Sequence, residues 1–172
     1  MMLSTQANCA SARLKTEIGV LQIAASDEGL VAVVFPIETR RHYDTARGST
    51  TARTHLDAAM SALQEYFAES RTDFEDLTLA PSGTVFQMSV WRALRQIPFG
   101  ITKSYGDIAR AIGNPKGVRA VAKANGYNRI AIIIPCHRVI GDNGNLTGYG
   151  GGLWRKKWLL DFESKQGSLN FL

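Results

Sequence analysis

The stretch that most constrains this chain is residues 131–141, Ala-Ile-Ile-Ile-Pro-Cys-His-Arg-Val-Ile-Gly, where a short apolar run stops at a proline and delivers a cysteine followed at once by a histidine. Residues 131–134 are β-branched enough to predict a strand. Pro135 should end it by removing a backbone donor and fixing φ, so that Cys136 sits at an exit from the core. A cysteine nucleophile acts as its thiolate, and a neighbouring imidazole that takes the proton would lower the thiol from its free value of about 8.5. The plain alternative is that Cys136 is a small buried hydrophobe. Adjacency to His137 does not decide between them, because neighbouring residues of a strand point opposite ways.

Charge divides the chain in two. Residues 1–84 carry 7 Lys and Arg against 11 Asp and Glu, net −4, and residues 85–172 carry 13 against 4, net +9, within a total of +5. A basic half of this kind suits a polyanion, nucleic acid or an anionic surface, and equally a merely solvated face. With 172 residues, 45% of them hydrophobic, the chain can bury a real core as one domain or two small ones. No apolar run is long enough to span a membrane and the first ten residues show no signal-peptide pattern, so a cytoplasmic protein (nuclear in a eukaryote) is expected. Cys9 and Cys136 offer no metal-ligand spacing and no disulfide framework, which agrees with a reducing compartment.

From the N-terminus, residues 12–16, 20–25 and 30–35 predict hairpin strands, with a Ser-Asp-Glu-Gly turn at 26–29. Residues 36–52 predict a loop. A helix over 53–68 follows, with Leu56, Met60, Leu63 and Phe67 as its apolar stripe. Pro81-Ser82-Gly83 marks a boundary, giving domains 1–83 and 84–172. Thr84-x-x-Gln87 has capping-box spacing and opens a helix whose stripe is Phe86, Val90, Leu94 and Ile97, ended by Pro98 and Gly100.

Next, Ser104-x-x-Asp107 should cap a short helix to residue 112, Gly113-Asn114 should turn, and Pro115 should start a second helix to residue 125. Two short helices on a tight turn predict a helix-turn-helix, or an αα-hairpin of structural purpose only. At about 100° per residue the second helix shows three faces. Val118, Val121, Ala122 and Asn125 form an apolar one; Lys116, Arg119 and Lys123 a basic one; Gly117, Ala120 and Ala124 one almost without side chains. A bald stripe beside a basic one suits either close helix packing or close approach to a DNA groove. Residues 147–152, Thr-Gly-Tyr-Gly-Gly-Gly, form a glycine-rich loop before a helix over 154–162. They match neither a phosphate-binding nor a dinucleotide-binding fingerprint, so no nucleotide cofactor is expected.

Pro-Cys-His-Arg-Val-Ile resembles the active-site signature of the O6-alkylguanine-DNA alkyltransferases (methylated-DNA-protein-cysteine methyltransferases), and the resemblance extends from about residue 84 to 163. It implies an α+β fold, with an N-terminal ribonuclease-H-like strand-and-helix domain and a mainly helical, winged-helix-like C-terminal domain whose helix-turn-helix sets its second helix in the minor groove. It implies that Cys136 accepts the alkyl group, that His137 activates it through a water, and that Glu163 orients the histidine. Asn128 matches the asparagine of the hinge, Tyr105 the tyrosine that donates to the leaving guanine, and Arg119 the arginine that fills the stack vacated by the flipped nucleotide. Lys116, Gly117, Ala120 and Lys123 fall on the same DNA-facing helix. Tyr149, Gly150 and Lys156 resemble the wall of the alkyl pocket.

The implied partner is double-stranded DNA carrying O6-alkylguanine, met by a monomer without cofactor or metal. His42 and His55 with a single nearby cysteine do not reproduce the zinc site of some relatives. The implied activity is a single irreversible transfer that repairs the base. Its rivals are a Cys-His thiol hydrolase, which would turn over, and a non-catalytic protein that binds alkylated DNA.

Overall fold

The computed structural model describes residues 9–36 and 48–169, with side chains as far as residue 165. Two compact units divide between Ser82 and Gly83. The first is a small sheet covered by a helix and the second is mainly helical, a mixed α+β architecture.

In the first unit β1 (Ala10–Thr16), β2 (Gly19–Ser26) and β3 (Gly29–Val34) form an antiparallel sheet in the order β1-β2-β3. The first turn is tight, with Thr16 opposite Gly19, and Thr16 Oγ1 donates to the Gly19 carbonyl at 2.7 Å. On the free side of β3, Leu30 bonds to the carbonyl of Thr78 and accepts from the N–H of Ala80. That short parallel bridge covers an otherwise open strand edge.

Helix α1 (Thr50–Phe67) lies against all three strands. It begins three residues earlier than its apolar pattern predicts, because Ser49 caps it by accepting from the N–H of Ala52. The buried face is also rotated. Ala52, Leu56, Ala59, Ala62, Leu63 and Tyr66 are buried, whereas Met60 and Phe67 are only half-buried. The alanines let the helix axis approach the sheet closely, and a stripe drawn through the large residues alone misses that side. Tyr66 then packs on Phe74, ring centroids 5.7 Å apart.

In the second unit α2 (Val85–Arg95) starts at Thr84, where the Thr84 side chain accepts from the Gln87 N–H and the Gln87 side chain accepts from the Thr84 N–H. Both arms of the predicted capping box are present. Val90, Trp91 and Leu94 are buried, with Phe86 only half-buried. The Trp91 indole donates to the Ala124 carbonyl at 2.9 Å. A two-residue strand β4 (Lys103–Ser104) leads into α3 (Tyr105–Ala111), which carries the second capping box, Ser104 with Asp107. Helix α4 (Val118–Gly126) packs on α2 and α3.

Helix α4 starts later than predicted. Residues 114–117 form a turn closed by the Gly117 N–H on the Asn114 carbonyl at 2.9 Å. Asn, Pro and Gly occupy the first, second and fourth places of that turn, which are the positions they favour in a type I turn. Pro115 therefore opens a turn rather than a helix.

The largest departure is at residues 131–134, which are not a strand. Ile132 has φ of +73°, the Ile134 N–H returns to the Ile130 carbonyl at 2.9 Å, and the whole run from Ile130 to Ile134 is buried. The apolar side chains require burial but not extension. What permits the coil is Asn128, whose amide donates to the carbonyls of Ile134 (2.8 Å) and Ile130 (3.4 Å) while its oxygen accepts from the Ile130 N–H (3.0 Å). Buried backbone groups that no strand could serve are thereby paired. The true strand, β5 (Val139–Ile140), comes after the cysteine and pairs in parallel with β4. Helix α5 (Leu153–Leu169) closes the unit against the turn at Cys136–Arg138.

Candidate active site and DNA-facing helix

Cys136, His137 and Arg138 form one turn of 3₁₀ helix after Pro135, and all three are buried. Cys136 is 5% exposed and His137 wholly buried. The expectation that the imidazole would lower the thiol is not met in this resting geometry. Burial pushes the Cys136 thiol up, although a hydrogen bond from Asn128 and the charge of Lys156 pull it down. The resting group is a protonated thiol. Asn128 thus serves both the backbone coil and the sulfur, and Asn125, on the buried side of α4, places its amide 3.4 Å from the Cys136 carbonyl.

His137 and Glu163 meet directly. The imidazole Nε2 lies 2.9 Å from Glu163 Oε1, with both groups buried. Since an ionised carboxylate only accepts, Nε2 carries the hydrogen and Nδ1 holds the free lone pair. Nδ1 is buried and bonds to no described protein group. Burial pushes the imidazole down, Glu163 pulls it up, and the charges of Arg138 and Lys156 push it down again, so that it rests neutral. Burial alone would raise the Glu163 carboxyl, but His137 and Arg138 together hold it well below the ordinary carboxylate range.

Arg138 is the residue that sequence reasoning missed. Its Nε donates to Glu163 Oε2 at 2.8 Å and Nη2 to Oε1 at 2.9 Å, while Nη1 donates to the Ile97 carbonyl at 2.7 Å. The Gly100 N–H adds a further donor to Oε2 at 3.1 Å. The signal was an arginine inside an otherwise apolar stretch, which a fold tolerates only when a carboxylate waits for it.

Lys156 is buried, and its ammonium donates to the carbonyls of Val139 (2.6 Å) and Thr147 (2.8 Å). It lies 5.9 Å from the Tyr105 ring centroid. Burial lowers it to about 8, although the thiolate of Cys136 would raise it. Tyr105 is half-buried and its hydroxyl oxygen accepts from Thr147 Oγ1 at 3.1 Å. The Tyr149 hydroxyl is raised well above its ordinary range, first by burial and then by the nearby Cys136. Cys136, Asn128, Lys156 and Tyr149 therefore surround one place, with Tyr105 beside Lys156. Gly150 does not join them: it is exposed, and a methyl group added there would meet nothing within 4 Å.

The outer face of α4 is exposed at Arg119, Ala120, Ala122, Lys123, Gly126 and Tyr127. Val121, Ala124 and Asn125 are its buried side. Two assignments change places: Ala124 docks on Trp91, and Ala122 faces outward. Lys116 is exposed and Gly117 half-buried on the turn before the helix. The Lys123 ammonium sits 6.0 Å from the Tyr127 ring centroid. The outcome is a basic, low-relief helix surface, Arg119 and Lys123 rising between alanines and a glycine. His42 lies outside the described residues, and among those described no cluster of three His, Cys, Asp or Glu gathers to hold a metal. No described helix is long and apolar enough to cross a membrane.

Fold and site together define a helix-turn-helix protein with a buried cysteine next to a histidine–carboxylate pair. Residues 85–165 match the family model described as 6-O-methylguanine DNA methyltransferase, DNA binding domain, and residues 11–81 match its ribonuclease-like domain. The methylated-DNA–protein-cysteine methyltransferase of Methanosarcina acetivorans is 46% identical over 87% of this chain and 94% of its own length. That of Mycolicibacterium paratuberculosis is 48% identical over 86% and 88%. A crystal structure of Mycobacterium tuberculosis OGT in complex with DNA superposes with a TM-score of 0.80 at 42% identity, covering 92% of this chain and 94% of that one. The chain belongs to the O6-methylguanine DNA methyltransferase family, the methylated-DNA–protein-cysteine methyltransferases.

Proposed function

We propose that this protein repairs DNA by taking the alkyl group of an O6-alkylguanine in duplex DNA onto the sulfur of Cys136, once and irreversibly. The observation that carries the reading is that Cys136, His137–Glu163, Lys156 and Tyr149 meet in the same unit that presents the basic outer face of α4. The O6 atom of guanine lies within the base stack, so the nucleotide must be flipped out at a cost of about a few kcal/mol. Arg119, which is exposed on α4, enters the stack in its stead. Lys116 and Lys123 meet phosphate, and Gly117 and Ala120 allow close approach.

The Cys136 proton passes through a water to Nδ1 of His137, and Glu163 steadies the imidazolium that forms. The thiolate attacks the alkyl carbon. An S–C bond forms as the C–O6 bond breaks, and the electron pair leaves on the guanine, which takes a proton from Tyr105. Thr147 donates to the Tyr105 oxygen, which leaves the Tyr105 hydrogen free for that transfer. Lys156 and Tyr149 line the thiol's surroundings, and Gly150 sits on the rim of the same loop. The product is a thioether that water does not cleave, so no step returns the thiol. The protein acts as a monomer wherever the cell keeps its DNA, cytoplasm or nucleus, and needs no cofactor.

Excess duplex containing O6-methylguanine should add one methyl, about 14 Da, to the peptide containing Cys136 and then stop, as covalent capture without a regenerating step requires. Intact-protein and peptide mass spectrometry reads this directly. Product released beyond one equivalent would favour a thiol hydrolase, and binding without any mass gain would favour a non-catalytic reader of alkylated DNA.

Binding itself should release counterions. The logarithm of the association constant should fall with the logarithm of salt at a slope of about −0.9 per phosphate neutralised, hence roughly −3 to −5 for 3 to 5 contacts from one small recognition element. Lys116→Ala and Lys123→Ala should each flatten that slope by about one with little change in sequence preference. Fluorescence anisotropy from low to moderate salt measures it, and an affinity indifferent to salt would reject this mode of DNA binding.

A further inference from the structure

We propose that Arg138 is a positioning residue of this centre: by gripping Glu163 in a two-pronged fork and balancing its charge, it keeps His137 a neutral base ready to take the thiol proton. The inference rests on the reading of Cys136 and His137 as the reacting pair. Its first measurement involves no transfer, so the two can fail separately.

Glu163 Oε1 receives His137 Nε2 and Arg138 Nη2, and Oε2 receives Arg138 Nε and the Gly100 N–H. Four donors converge on two oxygens. A protonated carboxyl would set its own hydrogen against one of them, so the group is anionic and has no freedom to rotate. The third arm of Arg138 is tied to the Ile97 carbonyl, and its guanidinium carbon lies 5.7 Å from the Phe99 ring centroid. The fork is thus anchored to the connector after α2 as well as to α5.

The charged and titratable groups facing His137 are Glu163 and Lys156 from α5, Arg138 from its own turn, and the neighbouring Cys136. Arg138 and Glu163 cancel. A carboxylate without that cancellation, buried beside an imidazole, would draw a proton onto the imidazole and make it a cation, because a lone charge in the interior is costly and the imidazole is the nearest base. An imidazolium cannot accept the thiol's proton. Arg138 therefore acts on the chemistry through Glu163 and His137, without touching the substrate.

The test is the titration of the three histidines by ¹³C and ¹⁵N NMR in the full chain between pH 5 and 9, with His42→Gln and His55→Gln used for assignment. In the unaltered protein His137 should remain neutral throughout. In Arg138→Gln it should gain a proton within that window, a rise of about 1–3 pH units, the usual effect of an opposite charge close by. Arg138→Lys, which keeps the charge and loses the fork, should restore the neutral imidazole. Single-turnover reaction with free O6-benzylguanine should then be slow but as flat with pH as the original in Arg138→Lys, and should show a new acid limb in Arg138→Gln. A merely structural arginine would alter stability and leave both the titration and the pH profile unchanged, and that result overturns the proposal, as does a His137 that already titrates near its ordinary pKa in the unaltered protein. If Arg138→Gln does not fold, the benzylguanine profile of Arg138→Lys decides, an acid limb there counting against it.

Discussion

Cys136→Ser should leave a folded protein that binds methylated duplex with unchanged affinity and transfers nothing measurable, a loss of about a thousandfold or more in the single-turnover rate, as expected when the covalent nucleophile is removed. A hydroxyl occupies nearly the space of a thiol, and Asn128 can still donate to it, so the buried surroundings are kept. What is lost is acidity and nucleophilicity: the neutral His137 that can take a thiol's proton has far less reach over an alcohol's. Quantifying methyl transfer from labelled DNA, with affinity measured on the same variant, separates chemistry from binding. Methylation that persists in Cys136→Ser and maps to Cys9, the other cysteine of the sequence, would move the acceptor to the first unit.

Glu163→Ala should be the most damaging change to stability, at about 3–5 kcal/mol, the cost of stripping one partner from a buried ion pair. Arg138 would be left buried with only the Ile97 carbonyl, and the Gly100 N–H would lose its acceptor. The effect has a sign in pH. Because the Glu163 carboxyl is held below its ordinary value when folded, its contribution is complete above the unfolded pKa of about 4.3 and is lost as pH falls through the folded value. Urea unfolding should therefore show a wide gap between the unaltered protein and Glu163→Ala at pH 7 that narrows steadily below about pH 4. A gap that stays constant down to acid pH would mean that the carboxylate charge is not what holds this corner together.

Much of the scaffold was legible because local chemistry decided it. Thr84 with Gln87 and Ser104 with Asp107 are short-range pairs whose spacing alone implies both caps, and both caps form. The hairpin at residues 26–29 followed from its turn residues, and the helix-turn-helix from one capped helix, the turn at Gly113-Asn114 and a second short helix. Misreadings arose where a small or polar residue made a contact that hydrophobic periodicity does not register, whether distant or close along the chain. Ala124 could be placed on the buried side of α4 only by knowing that the Trp91 indole reaches its carbonyl. Residues 131–134 look like a strand in every local respect, and only Asn128, acting on three backbone groups at once, makes the coil affordable. Cys136 and His137 stand out through their pairing after a proline, whereas Arg138, equally visible in the same six residues, reveals its purpose only when Glu163 arrives from the far end of the unit.

Asn128 also shows how narrow the tolerance of this site is. Aspartate differs from asparagine by one atom and almost no volume, so a comparison by size or shape ranks the exchange as harmless. Yet the amide nitrogen is what faces the carbonyls of Ile130 and Ile134, and an oxygen in its place would set three acceptors against one another in the loop that supports the cysteine. Loss of a single ammonia from this side chain over the lifetime of the molecule would therefore act like a deletion of the loop's support. For a protein spent in one reaction, chemical ageing at Asn128 is a second way to be used up, this time without having met its substrate.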